Sequence, residues 1–159
     1  MIHQTSIIDK NAKIDSGVEV GPFCKIGPNV IIGKNTKIYS HVNIDGNTKI
    51  GESNEIYPFC SLGTNPQDLK YNGEENFLII GNNNKLREYV NINPGTKNGG
   101  KLTKIGDNNL FMVYCHIAHD SIVGNNVVLA NNVQVGGHVV IENNAVVGGS
   151  CAIHQFSRI

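Results

Sequence analysis

Four histidines, His116, His119, His138 and His154, fall within 39 residues of this 159-residue chain. Two have telling neighbours: His119 precedes Asp120, and His138 follows Gly137. An imidazole with an ordinary pKa of about 6.5 can take a proton from an alcohol or amine at neutral pH. A carboxylate beside it can orient the ring and stabilise the imidazolium. A glycine N–H can approach a reacting carbonyl closely, having no Cβ, and can donate to the oxyanion of a tetrahedral intermediate. These are the parts of an acyl-transfer site. No Ser or Cys nucleophile is obvious at this edge, so direct attack by the acceptor is expected rather than a covalent enzyme.

The elements that must position these residues follow from a second pattern. Starting at Ile2, a branched or large apolar residue recurs every six positions through Leu62, returns at Ile80, Leu86 and Ile92, then slips by one and runs from Ile105 to Ile159. A period of six suits neither an amphipathic helix nor an alternating strand. It is the hexapeptide signature of a parallel β-helix. Gly often follows the apolar residue, as at Gly21, Gly27, Gly124 and Gly148, and a small or β-branched residue precedes it by two, as at Ala12, Val30, Thr48 and Val133. That matches the left-handed hexapeptide rule, with three repeats per triangular coil, so residues 18 apart stack at the usual strand spacing of about 4.8 Å. An all-β, single-domain left-handed parallel β-helix over residues 1–159 is expected. Its handedness comes from the hexapeptide rule, since periodicity alone does not carry it.

The second and third residues after each lattice position should form the bends. Asn pairs stand there at Asn82-Asn83, Asn125-Asn126, Asn131-Asn132 and Asn143-Asn144, and Asn tolerates the left-handed backbone of a tight corner. On adjacent coils the pairs are instead His119-Asp120 and Gly137-His138. His119 should therefore stack under Gly137, and Asp120 under His138. His116 should point outward beside this edge. His3 and His41 have no polar cluster and read as surface positions.

Composition narrows the partners. Thirteen basic and thirteen acidic residues give zero net charge, with no basic run and no Trp, which argues against nucleic acid. The stretch from Met1 to Ile14 has no continuous apolar run, so neither a signal peptide nor a membrane span is expected. Cys24, Cys60, Cys115 and Cys151 each precede a lattice residue by two. All four should fill small inward slots as inert packing rather than bind metal or pair. Reduced thiols without an export signal suggest the cytoplasm.

Two segments leave the lattice, at about 63–79 and 93–103, and should protrude as loops, often the binding face of a solenoid. The first carries Gln67-Asp68-Leu69-Lys70. With these residues in view, HIAHD (116–120), Gly137-His138, HQF (154–156) and QDLK (67–70) together resemble the UDP-N-acetylglucosamine acyltransferases. The resemblance runs the length of the chain, in order and with matching loops. It implies transfer of a 3-hydroxyacyl group from acyl carrier protein to the glucosamine 3-hydroxyl of UDP-N-acetylglucosamine, the first step of lipid A synthesis. It also implies His119 as general base, Asp120 as its orienting partner and Gly137 N–H as oxyanion donor. Asp68 and Lys70 would contact the sugar nucleotide and the acyl hydroxyl, with Lys70 near the phosphates. Gln67, His116, His138, His154 and Gln155 would line the pocket. The resemblance further implies a homotrimer with sites between prisms, no cofactor and no metal. Members of this family continue past Ile159 into more coils and a C-terminal helical segment, and the expectation is a C-terminally truncated chain.

Three other readings share the lattice. A related N-acyltransferase, acting on UDP-3-O-acylglucosamine, normally begins with a separate uridine-binding domain. A trimeric zinc hydratase would use three histidines, which His116, His119 and His138 could imitate, but Asp120, Gly137 and QDLK have no place there. The third is an inactive sugar-nucleotide-binding fragment.

Overall fold

Each six-residue unit supplies a two-residue strand and then a bend. The first strand residue faces solvent and the second faces the interior: in Lys25–Ile26, Lys37–Ile38 and Lys85–Leu86 the Lys is exposed and its apolar neighbour buried. The computed structural model describes residues 1–159. Every lattice residue from Val20 to Val147 is buried. Ile8, Ile14 and Ile153 are only partly buried, because fewer neighbouring rungs cover them.

The strands assemble into three parallel sheets, one of eight strands from Ile7–Ile8 to Ala152–Ile153 and two of seven. Each strand pairs with the third strand along the chain, so the three sheets are the faces of a triangular prism. Partners lie 18 residues apart, as in Ile7 with Lys25 and His116 with Gln134. Across the first loop the offset is 30, as in Ser61 with Asn91; across the second it is 25, as in Asn91 with His116. The first loop thus adds two full repeats and leaves the phase intact. The second adds seven residues, and this is the one-residue slip in the lattice.

The loops are shorter than the apolar pattern suggests. Strand pairing resumes at Phe77, which lies against Asn47 and Leu102, and again at Leu102. Both re-entering strands, Phe77–Ile80 and Leu102–Ile105, are four residues long. Main-chain hydrogen bonding begins there before the side chains rejoin the repeat, so the loops span 63–76 and 93–101 rather than 63–79 and 93–103. A single 3₁₀ turn, Lys97–Gly99, lies in the second loop, and no helix is long and apolar enough to cross a membrane.

The third residue after most lattice positions has positive φ. The three edges of the prism fill this corner differently. One edge uses Asn35, Asn83, Asn108, Asn126 and Asn144. One position earlier, side-chain oxygens of Asn82, Asp107, Asn125 and Asn143 ladder from rung to rung and accept the main-chain N–H groups of Glu52, Asn82, Asp107 and Asn125. The second edge places Phe23, His41, Phe59, Tyr89 and Tyr114 in the same left-handed conformation. Successive rings lie at centroid distances of 5.1, 5.0, 5.0 and 4.7 Å, the first pair tilted and the other three stacked. For bulky residues that backbone costs about 1 kcal/mol or more each, and all but His41 are large hydrophobic side chains more than 40% exposed. The third edge carries Asp120, His138 and Phe156.

Cys24, Cys60 and Cys115 are buried as expected, whereas Cys151 is exposed, no further rung lying over it. Burial pushes the Cys60 thiol up to about 12 and raises Cys24 and Cys115 as well, which keeps all three protonated and inert.

Candidate active site

The face bounded by the aromatic edge and the third edge carries a cleft of about 580 Å³. Tyr89 and Tyr114 form one wall, the outward strand residues Asn91, His116 and Gln134 the floor, and His119, Gly137 and Gln155 the opposite wall. Gln67 reaches over it from the first loop.

Stacking at the third edge follows the 18-residue register. The N–H of His138 donates to the carbonyl of His119 at 3.1 Å, which locks the two rungs together. The His119 ring lies directly beneath Gly137: a Cβ there would come within 2.6 Å of Cε1 and 2.9 Å of Nε2. Only glycine leaves room for this ring. The Gly137 N–H has no acceptor within the chain, whereas the equivalent amides of the Asn edge are capped by side chains.

Asp120 is buried, with no side-chain exposure. Its Oδ2 accepts from His119 Nδ1 at 2.8 Å, so a neutral His119 carries its proton on Nδ1 and keeps a free lone pair on Nε2. The reason this carboxylate tolerates burial is supplied by a residue with no signal in the sequence pattern. Thr96, in the second loop, donates its N–H to Oδ1 at 2.7 Å and its hydroxyl to Oδ2 at 2.5 Å. Thr103 Oγ1 accepts the Asp120 N–H at 2.8 Å. The insertion at 93–101 therefore clamps Asp120 from the adjacent coil. Phe156 is a second addition: its ring lies 4.6 Å from that of His138 and nearly parallel, at 8°.

His116 is set apart from this group. Its Nδ1 lies 2.6 Å from Asn91 Oδ1. Burial lowers its pKa below the ordinary imidazole value, and the nearby His119 imidazole adds to the effect. The folded state therefore resists protonating it while the unfolded chain does not. The contribution of His116 to stability is intact above about pH 6.5 and falls away as the pH drops through that value. An NMR titration of the His116 imidazole should show it protonating below the ordinary imidazole value.

Asp68 and Lys70 do not open onto the cleft. They line an adjoining groove of about 320 Å³ with Glu74, Thr96 and Lys97. His154 is exposed, its Nδ1 3.0 Å from the Gln155 carbonyl oxygen. The residues whose donor atoms converge are His119, Asp120 and His138, and His116 is not among them.

Comparison with known proteins places the chain among acyltransferases built on the same repeat. The model of the bacterial transferase hexapeptide (six repeats) matches residues 1–34 and 102–137. An acyl-[acyl-carrier-protein]–UDP-N-acetylglucosamine O-acyltransferase from Psychrobacter sp. is 52% identical over 123 residues, which are 77% of this chain and 48% of that protein. One of the same name from Rhizobium johnstonii is 44% identical over 158 residues, 99% of this chain and 58% of the relative. The solved UDP-N-acetylglucosamine acyltransferase of Francisella novicida superposes with a TM-score of 0.98 at 41% identity, over 99% of this chain and 58% of its own. That of Bacteroides fragilis superposes at 0.91 and 39% identity, over all of this chain and 67% of its own. The chain spans about half the length of the curated relatives it matches. With the repeat and these neighbours together, the coil is a left-handed parallel β-helix.

Proposed function

This chain belongs to the UDP-N-acetylglucosamine acyltransferase family, and from that premise we propose that it transfers a 3-hydroxyacyl group from acyl carrier protein to the glucosamine 3-hydroxyl of UDP-N-acetylglucosamine, opening lipid A synthesis in the cytoplasm. The observation that carries the reading is the chain of contacts from Thr96 through Asp120 to His119, ending beside an uncapped Gly137 N–H.

In this mechanism Nε2 of His119 removes the proton of the sugar 3-hydroxyl as that oxygen attacks the thioester carbonyl. Asp120 holds the ring and balances the imidazolium. The Gly137 N–H donates to the oxyanion, a contribution of roughly 10²–10³ in rate for one such donor. Collapse of the intermediate expels the carrier thiolate, which takes the proton from His119. Gln67, His116, His138, His154 and Gln155 line the bound substrates. From the adjoining groove, Asp68 and Lys70 contact the parts of the sugar nucleotide and the acyl hydroxyl that extend beyond the cleft, with Lys70 at the phosphates.

Thr96 is an expected contributor through Asp120. Its backbone is extended, so Thr96→Val keeps the fold and its N–H but deletes the hydroxyl donor. A hydrogen bond to a charged group is worth roughly 1.5–3 kcal/mol, and we expect kcat to fall about tenfold. Thr96→Ser should restore the rate with KM unchanged in both variants; a Thr96→Val enzyme with wild-type kcat removes the clamp from the mechanism.

We further propose a homotrimer, with the stacked aromatic edge as its self-association surface. Rigid Tyr and Phe, with Met112 and Arg87 alongside, are the residue types enriched at interfaces. The test of the whole reading is acyl transfer from 3-hydroxyacyl carrier proteins to UDP-N-acetylglucosamine by the sized oligomer. Turnover supports it; a well-folded trimer without turnover sinks the activity for this chain.

A further inference from the structure

We propose that His119, Asp120 and His138 also form a binding site for a borderline transition-metal dication such as Zn²⁺, and that occupation silences the edge. The silencing rests on the acyl-transfer reading; the metal site does not. Three donor atoms converge there, His119 Nδ1, Asp120 Oδ2 and His138 Nε2, all within 4.8 Å of one another. They come from two hydrogen-bonded rungs, so the set is built into the coil rather than gathered from mobile loops. Two imidazoles and one carboxylate are the ligand types that select transition metals over Mg²⁺ or Ca²⁺.

The approach distances fit such an ion with small side-chain motions. Zinc bonds of about 2.1 Å at a tetrahedral angle put neighbouring donors about 3.4 Å apart. Asp120 Oδ2 lies 2.8 Å from His119 Nδ1 and 3.9 Å from His138 Nε2. The first gap must widen and the second close by about half an ångström each, and the third, between the two imidazole nitrogens and within 4.8 Å, must close by up to about 1.4 Å. The two rings stand nearly perpendicular, at 86°, with centroids 5.2 Å apart. The stack of His138 on Phe156 holds the outer ring in place, and Thr96 holds the carboxylate.

The consequence for His119 is a change of tautomer. The metal takes the position of the proton on Nδ1, and that proton ends on Nε2. His119 then faces the cleft with an N–H instead of a lone pair, and a base has become a donor. No proton is lost from the ring, and no other reactant is needed.

Cobalt(II) is the direct probe, because a tetrahedral Co²⁺ site absorbs visible light. Titration of the chain should give one equivalent of bound Co²⁺ with an intense visible band. His138→Asn and His119→Asn should weaken binding at least tenfold. His138→Asn suits the corner backbone, which Asn126, Asn132 and Asn144 already adopt at equivalent positions. His41→Asn, on another edge, should leave the band unchanged. No band, or a band indifferent to His138→Asn, overturns the site. Zn²⁺ should then inhibit acyl transfer with a midpoint equal to its binding constant in the same buffer. Binding without inhibition overturns the silencing. Co²⁺ binding in a chain that never shows acyl transfer leaves the site standing and removes the acyl-transfer reading instead.

Discussion

Replacing His119 by Ala is expected to slow acyl transfer by roughly 10²–10⁴-fold, the usual weight of a general base, while the coil stays folded. The second half of that statement follows from the surroundings. The strained corner backbone lies at Asp120, not at His119, so Ala meets no unfavourable φ. Asp120 keeps both Thr96 donors, so no buried charge is stranded when the imidazole goes. Initial rates at saturating UDP-N-acetylglucosamine, with a thermal melt beside them, decide the matter. A lost rate with an intact melt assigns His119 to the chemistry. A melt lowered in proportion to the rate makes the corner a structural one, and an unchanged rate removes His119 from the mechanism.

Gly137→Ala should be nearly as damaging, through a single methyl group. That methyl would overlap the His119 ring at Cε1 and Nε2, the side of the imidazole that faces the substrate. The ring must tilt away, and the misplacement of a reacting group by about 1 Å can cost around 10²-fold. The variant keeps the Gly137 N–H, so any loss reports the position of His119 rather than a missing donor. Kinetics should show the loss in kcat more than in KM. Double replacement with His119→Ala gives the sharper check: once the imidazole is gone, Gly137→Ala should do little further harm.

Much of this architecture was legible in the chain because a solenoid writes its geometry locally. Each lattice residue from Val20 to Val147 is buried, and the stacking of His119 with Gly137 and Asp120 with His138 follows from an 18-residue step. The limits of that legibility are equally physical. The loops end earlier than the side-chain pattern because Phe77 and Leu102 resume main-chain pairing before the apolar phase returns. Cys151 has the same spacing as its three buried counterparts but no rung above it.

Thr96 carried no signal at all, and Thr103 showed only as a small inward residue two before Ile105, with nothing to mark its hydroxyl as a partner of Asp120. Thr96 sits 24 residues before the carboxylate it holds, in a segment without periodicity, and only the path of the loop brings the two together. Asn91, which partners His116, looked like any outward strand residue until the register across the second loop was known. Periodicity therefore places a residue on the prism, but the residue that clamps Asp120 comes from the second loop, where periodicity fails.

The aromatic edge gives the protein an optical handle. The chain has no Trp and five Tyr. Four of them lie along this one edge in face-to-face pairs, Tyr39 with Tyr57 at 4.6 Å and Tyr89 with Tyr114 at 4.7 Å; the fifth, Tyr71, is in the first loop. Phenols held that close couple their electronic transitions, so the near-ultraviolet circular dichroism reads a single corner of the prism while the amide signal reads all three faces. Heating the protein under both wavelengths would show whether that corner unzips ahead of the coil, a local event with its own colour.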